Sequence, residues 1–145
     1  MKVLYIFISL ISITLFGIPV SAQTAYEEKI EQELLTVTNL LAQEGFSPSH
    51  DYEIGSLLDG TNDYLTLFLR GNKKYAIIAI CDEDCKDIDI KVFDDNNNLV
   101  AIDEKKDATP IVTISPRWSG KFTIKVSMYN CIENYCYYGL GIYKN

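Results

Sequence analysis

Two short segments of this 145-residue chain carry most of the side chains that could do chemistry. Residues 80–95, ICDEDCKDIDIKVFDD, hold two cysteines and seven carboxylates, and residues 130–143, NCIENYCYYGLGIY, hold two cysteines among tyrosines. Such residue types form disulfides, supply oxygen ligands for a hard cation such as calcium, and build aromatic binding surfaces. The sequence therefore offers a metal site and an aromatic site as candidates.

Calcium is the candidate cofactor of the first segment, because it takes six to eight oxygen ligands from carboxylates, carbonyls and water. A loop closed between Cys81 and Cys85 would aim several carboxylates at one point. The order of the acids differs from that of an EF-hand loop, which requires a central glycine and a terminal glutamate. The candidate ligands are Asp82, Asp84, Asp87 and Asp89.

A solvated acidic face is the alternative explanation of the same aspartates. In a strand over residues 87–93, side chains alternate between the two faces. Ile88, Ile90 and Val92 would then face the core, and Asp87 and Asp89 would face solvent. Both interpretations stay open.

The second segment predicts a binding surface for a glycan or a protein. Tyrosine and tryptophan combine apolar area with a polar group and lose little conformational entropy on binding. The candidate ligand-binding residues are Trp118, which lies in a predicted turn, and Tyr135 and Tyr137. The alternative is that the tyrosines only cover an edge of the fold.

Four cysteines predict two disulfides in an exported chain, where the compartment is oxidising. Three pairings are possible. The close spacing of Cys81 with Cys85 and of Cys131 with Cys136 favours pairing between near neighbours. A zinc site is disfavoured because the usual C-x2-C spacing is absent.

Catalytic patterns are missing from the sequence. It has no nucleophile elbow, no histidine pair and no glycine-rich phosphate loop. Nothing predicts two carboxylates facing each other across a cleft, as glycoside hydrolysis requires. We therefore expect a protein that is not an enzyme.

Residues 1–22 have the features of a secretory signal peptide: Lys2, an apolar stretch, and small residues before a cut after Ala22. An uncleaved membrane anchor is the alternative. The remaining chain carries 12 basic and 20 acidic residues, a formal charge of −8. This charge disfavours nucleic acids and anionic lipids. We expect a secreted or periplasmic protein with no membrane span after processing.

An amphipathic helix is predicted over residues 24–44, within an N-terminal segment of residues 23–45. Its apolar residues recur every three or four positions, and Gly45 ends the pattern. We expect this stripe to pack on the β-core, with a partner helix or a membrane surface as alternatives. Residues 46–55 read as a linker.

The rest of the chain, residues 46–145, is predicted to be one mostly β domain. Short apolar or alternating runs end at Gly, Asn, Asp or Pro, and no helical pattern separates them, so an antiparallel sandwich of about seven strands is expected. The predicted strands are 64–70, 74–81, 87–93, 99–103, 111–115, 121–129 and 137–143.

Residues 54–145 resemble the bacterial pre-peptidase C-terminal domain, a secreted β-sandwich. The similarity is carried by the strand Asp87-Ile88-Asp89-Ile90, the Asp- and Asn-rich turn before residues 99–101, the Ser119-Gly120-Lys121-Phe122 strand start, and the closing residues 138–143. This resemblance implies a jelly-roll-like sandwich without catalysis of its own, some members of which bind calcium or polymeric substrates.

The N-terminal helix and the two cysteine loops depart from that family's pattern, and no protease accompanies the domain, so a stand-alone relative is expected. Together these points predict a secreted, non-catalytic binding or accessory module of the bacterial envelope or extracellular space. The expected partner is an extracellular or envelope protein or a glycan. A structural envelope protein that assembles through its helix is a further alternative.

Overall fold

The computed structural model describes residues 22–145 as one helix and nine strands. They are α1 (Ala22–Gln43), β1 (Ser47–Pro48), β2 (Glu53–Leu58), β3 (Asn62–Leu69), β4 (Tyr75–Cys81), β5 (Cys85–Asp94), β6 (Leu99–Asp103), β7 (Ile111–Ile114), β8 (Gly120–Cys131) and β9 (Tyr135–Lys144). The predicted signal peptide lies outside the described residues, apart from Ala22 at the start of α1. No helix among residues 22–145 combines the length and the hydrophobicity that a membrane crossing requires.

Two antiparallel sheets form the sandwich. Sheet A has the order β1-β9-β4-β7, with β2 also paired to β9, and sheet B has the order β3-β8-β5-β6. Strands β2 to β9 are thus arranged as two four-stranded sheets in jelly-roll order. The predicted mostly β sandwich with an N-terminal helix is confirmed, with nine strands instead of about seven.

The segment that the sequence predicts as a linker, residues 46–55, contains strand β1 and the first residues of strand β2. Ser47 and Pro48 pair with Lys144 and Tyr143, and β2 pairs with the first half of β9. Neither segment shows a clear alternation of apolar and polar residues. They become strands because β9 offers them a free edge, which is a tertiary effect.

The core lies between the sheets and follows the alternation along the strands. Full burial of one aliphatic side chain of this kind contributes about 1.5–3 kcal/mol. The most buried branched aliphatic residues of this core are Leu69, Ile77, Ile88, Ile90, Val92, Ile124, Val126, Leu140 and Ile142.

Helix α1 forms a third layer on the outer face of sheet A. Ile30 and Leu34 are buried against Ile80 and Tyr137. The approach is so close that a Cβ at Gly139 would lie 2.5 Å from Cγ2 of Ile30. The apolar stripe therefore packs on the β-structure, as predicted.

The C-terminus of α1 is closed by a Schellman motif. Gly45 has a φ of +83°, which glycine adopts without strain. Its N–H bonds to the carbonyl of Ala42, and the N–H of Phe46 bonds to that of Leu41. This turn directs the chain from the helix into β1.

Candidate functional site

Both disulfides lie at one end of the sandwich. Cys81 is bonded to Cys85 and Cys131 to Cys136, the near-neighbour pairing that the spacing favours. Each bridge joins the last residue of one strand to the start of the next strand in the opposite sheet, as follows from the strand order. We call residues 81–85 and 131–136 the disulfide end.

The two cysteine loops are also bonded to each other. Cys85 pairs with Cys131 in sheet B, and the N–H of Ile132 donates to the carbonyl of Asp84 at 2.9 Å. Next to sheet A, the N–H of Asp82, just after β4, donates to the carbonyl of Tyr137 in β9 at 3.0 Å. The acidic loop and the tyrosine loop, which the sequence treats as separate, therefore form one surface.

Asp82 holds this surface together from inside. Its side chain is only 5% exposed. The carboxylate accepts hydrogen bonds from the N–H groups of Tyr137 at 2.7 Å, Cys85 at 3.2 Å and Asp84 at 3.2 Å. These bonds occupy both carboxylate oxygens, so Asp82 acts as an acceptor for the loop backbone.

Three tyrosine rings form a corner at the disulfide end. The rings of Tyr26 and Tyr137 stack with centroids 5.3 Å apart. Tyr135 meets Tyr137 edge-on, with centroids 5.6 Å apart and an interplanar angle of 77°. They border a cavity of about 250 Å³ lined by Tyr26, Asp82, Asp84, Glu133, Asn134, Tyr135 and Tyr137.

The electrostatics of this cavity favour a cation. Three carboxylates line it, and none of its lining residues within the described part of the chain is basic. Burial above all, and then a hydrogen bond with Tyr135, raise the pKa of Tyr137, and the negative charges of Glu27 and Asp82 add to this effect. The Tyr137 hydroxyl therefore stays neutral at physiological pH, and the aromatic walls carry an acidic rim. We call this cavity the acid–tyrosine pocket.

Asp87 and Asp89 lie elsewhere, on the outer face of sheet B, because they alternate with the inward-facing isoleucines of β5. The expectation that Asp89 faces solvent is wrong: it is 5% exposed. It lies opposite Ser127 of β8, and an ion pair between Lys91 and Glu104 lies on the same side of the sheet. Side chains of adjacent strands cover it, which the pattern of one strand does not reveal.

One carboxylate oxygen of Asp89 is buried without a hydrogen bond from any of residues 22–145. Its Oδ1 atom and the Oγ atom of Ser127 have no hydrogen-bond partner within the described residues. Burial first, and then the charges of Asp87 and Glu104, raise the pKa of Asp89 from 3.8 to about 6. Ionisation of Asp89 therefore costs more free energy in the folded protein than in the unfolded chain.

The four predicted calcium ligands do not converge on one point. Asp82 binds backbone amides, Asp84 lines the acid–tyrosine pocket, and the other two lie on sheet B. Among residues 22–145, no group of three or more His, Cys, Asp or Glu side chains is arranged to hold a metal ion. Calcium binding stays a prediction.

The three predicted ligand-binding aromatics are divided between the two ends. Tyr135 and Tyr137 lie at the disulfide end, whereas Trp118 precedes β8 at the opposite end. The strand between them, from Gly120 to Cys131, spans about 36 Å at about 3.3 Å per residue. They do not form one site.

The pocket contains three residues that the sequence did not identify as candidate binding residues, Tyr26, Glu133 and Asn134. Tyr26 belongs to the apolar stripe of the helix, so its pattern predicts a core residue. Only the docking of α1 brings it to Tyr137.

No protein-family model matches this chain, and no curated protein matches it. A solved structure that resembles it is the periplasmic lysozyme inhibitor of g-type lysozyme from Aeromonas hydrophila. The two share 12% identity over 66% of this chain and 85% of that chain, with a TM-score of 0.49. A likeness of this size carries no argument about function. The resemblance to the pre-peptidase C-terminal domain stays a prediction.

Proposed function

We propose that this chain is an exported, non-catalytic binding module that holds a basic side chain of a protein partner in the acid–tyrosine pocket. The observation that carries the proposal is the convergence of three tyrosine rings with the carboxylates of Asp84 and Glu133 in one cavity. A lysine or arginine side chain fits both features, because its stem packs on rings and its charge meets the acids.

Rigidity of the pocket supports this use. Two disulfides fix the loops that carry Tyr135 and Glu133 on one side and Asp84 on the other. The amide bonds to Asp82 fix the backbone beneath Tyr137. A site that is ordered before binding loses less conformational entropy when the partner docks.

Charge complementarity also supports a basic partner. The chain has a formal net charge of −7, so its field attracts cationic proteins and repels anionic ones. The paired cysteines support an oxidising compartment such as the periplasm or the extracellular space.

Assembly through the helix, the structural alternative, has less support. The residues of α1 that would join a partner helix, Ile30 and Leu34, are buried on sheet A. Kinship with the pre-peptidase C-terminal domain remains part of the proposal, and a binding role without catalysis agrees with it.

The test uses two synthetic peptides of one sequence, one with free lysines and one with every lysine Nε-acetylated. Each is titrated into the oxidised chain, with binding followed by calorimetry and by amide NMR shifts. We expect the free-lysine peptide to shift the amides of Tyr135, Tyr137 and Asp84, and to bind more weakly as salt screens the charges. Acetylation is expected to abolish binding.

Matched variants assign the binding to the pocket. Tyr135→Ala is expected to weaken binding about five- to tenfold, as loss of a cation–π contact of about 1 kcal/mol predicts. Tyr64→Ala, which removes another exposed tyrosine, on sheet B, is expected to have no effect. Equal binding of both peptides, or equal loss in both variants, would contradict the proposal.

A further inference from the structure

A second cavity lies at the end of the sandwich opposite the disulfides. It has a volume of about 350 Å³, within the range of small-molecule sites. It is formed by the β7–β8 loop together with parts of β5, β6, β7 and β8. Its lining residues are Asp94, Val100, Thr113, Ile114, Ser115, Pro116, Arg117, Trp118 and Phe122.

Trp118 is the most exposed large apolar side chain of the described residues, at 75%. Its loop is nevertheless tied down: the N–H of Gly71 donates to Ser119 Oγ at 2.9 Å, and the N–H of Asn72 donates to the carbonyl of Pro116 at 2.8 Å. A Cβ at Gly71 would lie 2.7 Å from the Cα of Trp118, so the two turns are in direct contact. Backbone contacts, and not burial of the indole, hold the loop.

The groups around the indole favour a neutral, hydroxyl-rich ligand. Arg117, Thr113 and Ser115 are exposed hydrogen-bonding groups at the rim. The carboxylate of Asp94 is already occupied by the amides of Asn96 and Asn98, at 2.8–2.9 Å. One arginine and one aspartate balance each other at the cavity, while the acidic charge of the whole chain opposes anionic polymers.

We propose that this cavity binds a pyranose unit of a neutral polysaccharide, with its C–H face on the Trp118 ring and its hydroxyls on Arg117 and Ser115. An exposed aromatic ring on a rigid loop gives such a ligand a flat apolar platform at low entropic cost. The site is about 36 Å from the acid–tyrosine pocket along β8, so the two ends bind independently. The module would then link a glycan to a protein.

Trp118 is the only tryptophan of the chain, so intrinsic tryptophan fluorescence reports this cavity alone. The probes are cellohexaose and chitohexaose, both neutral and β-linked. We expect one or both to cause a saturable blue shift. Tyr135→Ala, at the opposite end, is expected to leave the Kd unchanged, whether or not the acid–tyrosine pocket binds basic peptides.

Calorimetry then compares Trp118→Ala and Arg117→Ala with the parent chain, after circular dichroism has verified the fold. Loss of the aromatic platform is expected to weaken binding about tenfold or more, as for a residue that dominates an interface. Trp118→Phe, which retains a ring, is expected to lose less. The proposal is overturned if neither sugar gives a saturable response, or if Trp118→Ala binds the sugars as the parent does.

Discussion

Replacement of Asp89 by asparagine is expected to stabilise the protein at neutral pH. The side chain is buried on sheet B, and its Oδ1 lacks a partner among the described residues. The carboxylates of Asp87 and Glu104 repel its charge, and Lys91, which would attract it, is paired with Glu104. Asparagine has almost the same shape and removes the charge.

The sign and size of the effect follow from the pKa of Asp89, which rises from 3.8 to about 6 on folding. The folded state binds the proton more tightly, so this contribution to stability is complete below about pH 4 and is lost as the pH rises through about 6. Two pKa units correspond to about 3 kcal/mol as an upper bound. The Ser127 hydroxyl and Lys91 can reorient toward the ionised carboxylate, which reduces this destabilisation. We therefore expect the variant to be more stable than the parent by about 1–2 kcal/mol at pH 7.5.

Urea denaturation of the parent and the Asp89→Asn variant, at several pH values from 4 to 7.5 and with EDTA, measures this difference. The two chains should be about equally stable at pH 4, and the variant should gain steadily as the pH rises. In thermal unfolding at pH 7.5, the Tm of the variant should be higher by about 3–10 °C. Asp95→Asn, which alters an exposed turn residue, is the control and should show no such trend. A variant that is less stable at pH 7.5, or a difference that is constant with pH, would refute the reasoning.

Three further outcomes are expected. Gly139→Ala places a Cβ against the helix and should reduce the free energy of unfolding by about 1–3 kcal/mol in urea titrations, whereas Gly120→Ala, with its nearest neighbour at 3.9 Å, should be nearly neutral. Asp82→Ala leaves the N–H groups of Tyr137 and Asp84 without this acceptor, whereas the N–H of Cys85 keeps its bond to the carbonyl of residue 82, and the change should cost about 2–3 kcal/mol, with faster amide exchange confined to the disulfide end. Calcium binding predicts a higher Tm at millimolar calcium that the Asp87→Ala/Asp89→Ala variant loses, and an unchanged Tm would remove the metal from consideration.

The strands were the most predictable part of the fold. Short apolar or alternating runs bounded by turn residues are a local property, and they located β3 to β9 to within a few residues. Gly45 likewise marked the end of the helix, because a left-handed residue is needed there. Strand β2 escaped detection because it contains a glycine and lacks clear alternation, and it exists through pairing with β9.

Local features of the sequence predicted the sandwich and the apolar stripe of the helix, and they favoured the near-neighbour pairing of the cysteines. Long-range packing brings the acidic loop to the tyrosine loop, joins Tyr26 to them and places Trp118 at the far end. It also buries Asp89. The physical reason is that a short pattern specifies which face a side chain takes, whereas its neighbours depend on pairings between strands that are distant in the chain.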